Sequence, residues 1–198
     1  MAGDTMSRIF QAVAPLLLIV SGCSAANEEP PLAGARIGGP FTLTNPAGKP
    51  VRDTDFAGKY RIVYFGYTYC PDICPTDMLK IGQAMKALDK QAPAKAAKIV
   101  PIFITVDPER DTPQVVGEFV RNFDDRVVGL TGSPAVIAAV TKQYAVYAKK
   151  EAPGPGGGYL VGHSQIAYLM DPEGKPITSL PIEKDAAALV EQLDHWVK

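Results

Sequence analysis

The sequence predicts an α/β domain whose central mixed sheet is flanked by helices. Three observations carry that expectation. Two apolar runs of buried-strand type, Tyr60 to Phe65 and Ile99 to Val106, are each followed by a stretch with helical spacing of apolar residues. A later pair of strand-like runs surrounds Asp171-Pro172-Glu173-Gly174, a turn sequence that makes an antiparallel hairpin. The chain then closes on an amphipathic helix with Leu189, Leu193, Trp196 and Val197 on one side. Strands joined through crossover helices must run parallel, whereas a hairpin is antiparallel, so the combined sheet is mixed.

Taken in order, Phe41-Thr42-Leu43 and the turn-rich Asn45 to Asp55 predict a short N-terminal hairpin. Tyr60-Arg61-Ile62-Val63-Tyr64-Phe65 follows as the first buried strand, ended by Gly66. Pro75 suits the first turn of a helix because its φ is already fixed, and Met78, Ile81, Met85 and Leu88 then define one apolar face. Thr76 and Asp77 fall in the first turn, where a negative charge suits the helix dipole. After the second strand, Asp111-Thr112-Pro113 predicts the start of a helix with Val116, Phe119, Val120 and Phe123 inward. Val127-Val128 fits a short strand, and Ser133-Pro134 starts a helix carrying Ile137, Val140 and Tyr144. Ser164 to Met170 and Pro176-Ile177-Thr178 form the late hairpin. No internal repeat is visible.

The 198 residues, 46% hydrophobic and 21% charged, fit one globular domain. With 20 Lys+Arg against 21 Asp+Glu, the chain has no electrostatic footprint for nucleic acid or another polyanion. Residues 1–22 stand apart: Arg8 precedes an apolar run, Ala12 to Val20, too short to span a bilayer and ending in small residues, which is a signal-peptide pattern. Val20-Ser21-Gly22-Cys23 resembles a bacterial lipobox and makes Cys23 the candidate lipid anchor; Met6 is an alternative start. Residues 23–37, with Asn27-Glu28-Glu29-Pro30-Pro31, read as a tether, and 38–198 as the folded domain. The expected location is outside the inner membrane, anchored to it and facing the periplasm.

Thiols in an exported protein tend to be oxidised, so a cysteine pair there is a structural disulfide, a redox couple or a metal site. Cys70 and Cys74 lie in FGYTYCPDICPTDML, where a strand runs into a helix, the reactive position of a thioredoxin-like domain. Unpaired backbone N–H groups and the positive end of the helix dipole predict lowered thiol pKa values there. Thiolates in that setting can attack a disulfide or bind a soft ion such as Cu(I). Three intervening residues make a wider loop than that of efficient dithiol oxidoreductases. A structural disulfide closing so small a ring gains comparatively little entropy. Structural zinc wants four protein ligands, and apart from the lipobox cysteine the chain has two cysteines and two histidines. His163, in Val161-Gly162-His163-Ser164, would complete a three-coordinate Cu(I) site as a neutral imidazole. The preceding run Pro153 to Gly158 reads as a mobile loop that would let it approach or withdraw, and lacks the flanking elements of a phosphate loop. His195 is expected on the surface and Met170 in the core. Asp107-Pro108-Glu109-Arg110-Asp111-Thr112-Pro113 reads either as a turn with an N-cap or as a segment shaping the site or docking a partner.

From about Gly38 to Val197 the sequence resembles the Sco (SenC/PrrC) family of thioredoxin-fold proteins associated with cytochrome c oxidase copper centres. The resemblance rests on FGYTYCPDICPTDML, on ITVDPERDTP from Ile104 to Pro113, and on GHSQIAYLMDPEG from Gly162 to Gly174, in that order. It implies a thioredoxin-like fold and a copper site (Cu(I), Cu(II) or both) whose Cys-x-x-x-Cys pair is matched by Cys70 and Cys74 and whose histidine is matched by His163. Tyr69 stands where many relatives have His or Phe, and Gly162 where many have Asp. The implied role is a metallochaperone more than an enzyme, serving the binuclear copper site of a respiratory oxidase. Its expected partners are the copper-site subunit of that oxidase, a thiol reductase, and the membrane through the lipid anchor. The competing expectation is a thiol-disulfide oxidoreductase acting on exported thiols, with Cys70 and Cys74 as its redox pair; thiol peroxidase activity is a weaker third.

Overall fold

The computed structural model describes residues 1, 3, 28–153 and 158–198. The signal-peptide and lipobox expectations, including Cys23, and most of the glycine run lie outside the described residues. Within the stretch read as a tether, the Leu32 amide donates to the Ile177 carbonyl at 3.0 Å, and Leu32 and Ile37 pack on the core.

A short antiparallel hairpin of β1 (Thr42–Thr44) and β2 (Pro50–Arg52) precedes the main sheet. The sheet proper contains β3 (Tyr60–Gly66), β4 (Ile99–Thr105), β5 (Val128–Leu130), β8 (Ala167–Met170) and β9 (Pro176–Leu180), in the order β5-β4-β3-β8-β9. β3, β4 and β5 are parallel, and the late hairpin β8–β9 adds its two strands antiparallel, which makes the sheet mixed as expected. The helices are α1 (Ile73–Gln91), α2 (Pro93–Ala96), α3 (Pro113–Val120), α4 (Pro134–Gln143) and α5 (Ala186–Trp196).

Alternation along the strands decides which helix covers which face. Tyr64 and Phe103 point to the side of α1 and α3, where Tyr64 reaches Asp77 and Phe103 packs on Phe119; α5 lies against α1. Phe65 points to the other side and packs at a tilt against Tyr144, at the end of α4. Both faces are covered, so β3 reads as an apolar run without a polar side, and Ile62 to Phe65 are fully buried. Met170 is fully buried, as expected. Arg61, opposite it on β3, is also buried, at the end of the sheet remote from the cysteines.

Three local expectations change. α1 starts at Ile73 with Asp72 as its N-cap, two residues before Pro75, so Cys74 lies inside the first turn. α3 stops at Val120, leaving Phe123 beyond it, packed edge-on against Phe119. The segment around His163 is not a loop: β6 (Ala148–Lys150) and β7 (Val161–His163) pair antiparallel across the glycine run, with Ala148 opposite His163. Among the described residues no helix is long and apolar enough to cross a membrane.

Candidate metal centre

The sulfur pair sits where β3 and β4 end, at the carboxyl edge of the parallel strands, the position at which open α/β sheets bind ligands. β3 delivers residues 67–72, which turn through a Cys70 N–H bond to the Tyr67 carbonyl (3.2 Å) and enter α1. Cys70 is half-buried and Cys74 fully buried, and both are free thiols. The Cys74 amide donates to the Cys70 Sγ at 3.4 Å, so the helix end does present an N–H to sulfur.

Gly66 explains how Cys74 fits. A Cβ at that position would stand 2.9 Å from the Cys74 Sγ, 2.9 Å from Tyr64 Cε1 and 3.2 Å from Phe103 Cε2. The sulfur occupies the space a side chain would fill. The sequence marked Gly66 only as the end of a strand.

β7 brings His163 to the sulfurs from the other side, with its Nε2 3.2 Å from the Cys74 Sγ. Its Nδ1 lies 3.0 Å from the Ser164 carbonyl oxygen, which can only accept, so Nδ1 carries the proton and Nε2 presents its lone pair to the site. Burial pushes the His163 pKa below its ordinary value, opposed by the Ser164 hydrogen bond and the charge of Asp77; the ring is therefore neutral at pH 7. Tyr67, almost fully buried, meets the His163 ring edge-on at 5.8 Å between centroids.

The expected low thiol pKa does not hold for Cys74. Burial, the largest influence, pushes it up, and the neighbouring Cys70 adds to the rise against the lowering by a backbone hydrogen bond at Tyr67. The helix dipole acts in the direction expected, but desolvation of an enclosed sulfur outweighs it. Cys74 is consequently a neutral thiol in the metal-free protein, able to donate to Nε2 of His163, and an arriving metal must displace its proton.

The donor atoms of Cys70, Cys74 and His163 all lie within 4.8 Å of one another. With metal–sulfur and metal–imidazole bonds of roughly 2.0–2.3 Å, one ion can touch all three after small adjustments. Two thiolates and one imidazole, with no carboxylate in the group, suit a soft ion in three-fold coordination better than zinc. His195 takes no part: it is on α5, half-exposed, with its Nε2 3.0 Å from the Glu28 carboxylate.

Two buried carboxylates hold the surroundings. The Asp111 Oδ2 accepts from the Thr68 amide (3.0 Å) and the Thr105 hydroxyl (2.6 Å), and its Oδ1 accepts from the Thr68 hydroxyl (2.6 Å). It ties the cysteine loop to the end of β4, while the N-cap of α3 is Thr112. The motif is thus a turn with an N-cap, and its Asp111 also braces the cysteine loop. Asp77 is equally buried and accepts from the Tyr64 hydroxyl (3.1 Å) and the Gln165 amide (3.0 and 3.1 Å), linking α1 to the chain just after His163. Its expected part at the helix dipole gives way to this buried one. Burial pushes the pKa of both carboxyls up.

A family model described as SCO1/SenC matches residues 29–198. Protein SCO1 homolog 1, mitochondrial, of Arabidopsis thaliana is 47% identical over 151 residues, 76% of this chain and 44% of that protein. Protein SenC of Rhodobacter capsulatus is 43% identical over 141 residues, 71% of this chain and 62% of that one. The chain spans about half the length of the curated relatives it matches first. Among solved structures, Arabidopsis thaliana ScoI with copper bound aligns at a TM-score of 0.74 and 41% identity, covering 79% of this chain and 95% of that one. Bradyrhizobium japonicum ScoI with copper bound aligns at 0.72 and 41%, covering 81% and 99%. The thioredoxin domain of a Bacteroides vulgatus thiol-disulfide oxidoreductase, at a TM-score of 0.57 and 17% identity, shares the fold, which is thioredoxin-like.

Proposed function

The chain belongs to the SCO1/SenC family, and on that premise we propose that it is a copper-binding assembly factor that carries copper as cargo to the binuclear copper site of a respiratory cytochrome c oxidase. The observation that carries this is the convergence of Cys70, Cys74 and His163 donor atoms within 4.8 Å at the edge of the sheet. Relatives above 40% identity that have been solved with copper bound support it. Tyr69, Ile73 and Leu160 leave apolar surface exposed beside the site, suited to a protein that must take the ion over.

The two thiols make the cargo site redox-dependent. A disulfide between Cys70 and Cys74 removes two of three donors, so a thiol reductase is the second partner of this reading. Anchoring through Cys23 on the periplasmic side of the inner membrane would hold the domain where such a copper site is filled. Transfer of the ion, without turnover of a substrate bond, makes the protein a metallochaperone before an enzyme.

The experiment is a Cu(I) competition titration of the reduced full chain and of His163→Ala. Losing a hydrogen-bonding partner of a metal ligand typically costs 10–100-fold in affinity, so losing the ligand itself is expected to cost at least about 10-fold. Equal affinity in the two proteins would refute the three-donor site and favour a dithiol that works by disulfide exchange.

A further inference from the structure

Arg110 lies beside the metal centre without touching it, and its contacts reach three separate parts of the chain. Its Nε donates to Asp107 Oδ2 at 2.5 Å, which holds the side chain against its own turn. Its Nη1 donates to the Tyr159 carbonyl at 2.9 Å, and its guanidinium carbon lies 3.7 Å from the centroid of the Tyr159 ring. The same group also lies 4.9 Å from the Tyr69 ring and 5.6 Å from the Tyr67 ring. The Tyr159 hydroxyl returns to Asp107 Oδ1 at 2.9 Å and closes the arrangement.

Those contacts join the two halves of the metal centre. Tyr67 and Tyr69 belong to the segment that carries Cys70, and Tyr67 meets the His163 ring edge-on. Tyr159 stands just before β7, whose last residue is His163. The arm is also held by the buried Val161 and, just past His163, by Gln165 on Asp77, but its outer strand is loosely attached. β6 is exposed along its whole length and among the described residues pairs only with β7, and the Lys150–Glu109 pair is exposed on both sides, where ion pairs contribute little. A planar guanidinium can stack on rings and donate at fixed angles together, which an ammonium cannot.

We propose that Arg110 is a positioning residue for the third donor: by clasping Tyr159 to Tyr67 and Tyr69 it holds the β7 arm closed, so that His163 reaches the sulfurs. The clasp rests on the copper reading only for its purpose, since the contacts that define it are present without a metal.

The test uses the reduced full chain in a double-mutant cycle of Arg110→Lys and His163→Ala, with Cu(I) affinity measured by competition. Arg110→Lys keeps the charge and loses the planar stack, and is expected to weaken Cu(I) binding about 10-fold, as loss of a supporting partner does. In the His163→Ala background the same change is expected to cost less than about 3-fold, because the group it positions is gone. Equal losses in both backgrounds, or no loss, would overturn the proposal. Amide hydrogen exchange of the metal-free protein gives a readout independent of copper: Arg110→Lys and Tyr159→Ala are both expected to accelerate exchange at residues 160–164 and leave α5 unchanged. Unaltered exchange there overturns the clasp. Accelerated exchange in a protein whose copper affinity ignores His163 upholds the clasp and refutes the copper reading instead.

Discussion

Replacing Gly66 with alanine tests the packing of the site with a single methyl group. The added Cβ would lie 2.9 Å from the Cys74 Sγ, 2.9 Å from Tyr64 and 3.2 Å from Phe103. All three neighbours are fully buried, so none can swing into solvent. Ordinary contact requires the sulfur and the Tyr64 ring each to retreat by about half an ångström, and insertions of this kind cost about 1–3 kcal/mol. Alanine recovers roughly 0.5–1 kcal/mol by restricting the unfolded chain, and the backbone at Gly66 has no positive φ to oppose it. The clash wins, and a net loss of about 1–2 kcal/mol is expected, which is a fall in Tm of roughly 2–8 °C for a domain of this size. Because the displaced atom is one of the three proposed metal donors, Cu(I) affinity is expected to fall as well. Calorimetry of the reduced metal-free protein and a Cu(I) competition titration read the two effects. Unchanged or raised Tm together with unchanged affinity would show that Cys74 does not depend on the space at Gly66.

Asp111→Ala orphans three donors, the buried Thr105 hydroxyl and the half-buried Thr68 amide and hydroxyl, and is expected to cost about 2–4 kcal/mol in chemical denaturation, whereas Asp111→Asn keeps an acceptor for Thr105 and the Thr68 amide and lets the Thr68 hydroxyl turn round, for less than about 1 kcal/mol. Similar losses in the two variants would show that the hydrogen bonds are not what Asp111 contributes. Asp77 has a folded pKa raised by burial, so its favourable share is present below the unfolded value of about 3.9 and is lost as pH rises through the folded value. The stability of Asp77→Asn relative to the parent is therefore expected to improve from about pH 4 towards neutrality, and a decline over that range in denaturant midpoints would reverse the assignment.

What the sequence carried and what it did not divide along the range of the interactions. β3 and β4 were legible because strands buried on both faces are apolar throughout, and α1 because Met78, Ile81, Met85 and Leu88 repeat at helical spacing. Cys70, Cys74 and His163 were legible as donor types in a recognisable order. β6 was not: Ala148, Lys149 and Lys150 are all exposed, so the strand has no buried side to leave a pattern, and among the described residues it pairs with β7 alone. The raised pKa of Cys74 was not legible because the helix end is visible in the sequence, whereas the burial of its sulfur beside Tyr64, in the space left by Gly66, exists only once β3 and α1 are packed. In the sequence Asp111 is only part of a turn that starts the helix beside it. Its partner Thr68 is 43 residues away, and nothing local announces such a bond.

The central claim is that one copper ion is held by both sulfurs and the imidazole together. X-ray absorption spectroscopy of the reduced full chain loaded with one equivalent of Cu(I) tests it most directly, because sulfur and nitrogen scatterers are distinguishable at the metal. The expected spectrum fits two sulfurs and one nitrogen per copper, with the nitrogen lost in His163→Ala. A parent spectrum fitted by sulfur alone, unchanged by His163→Ala, would contradict the claim.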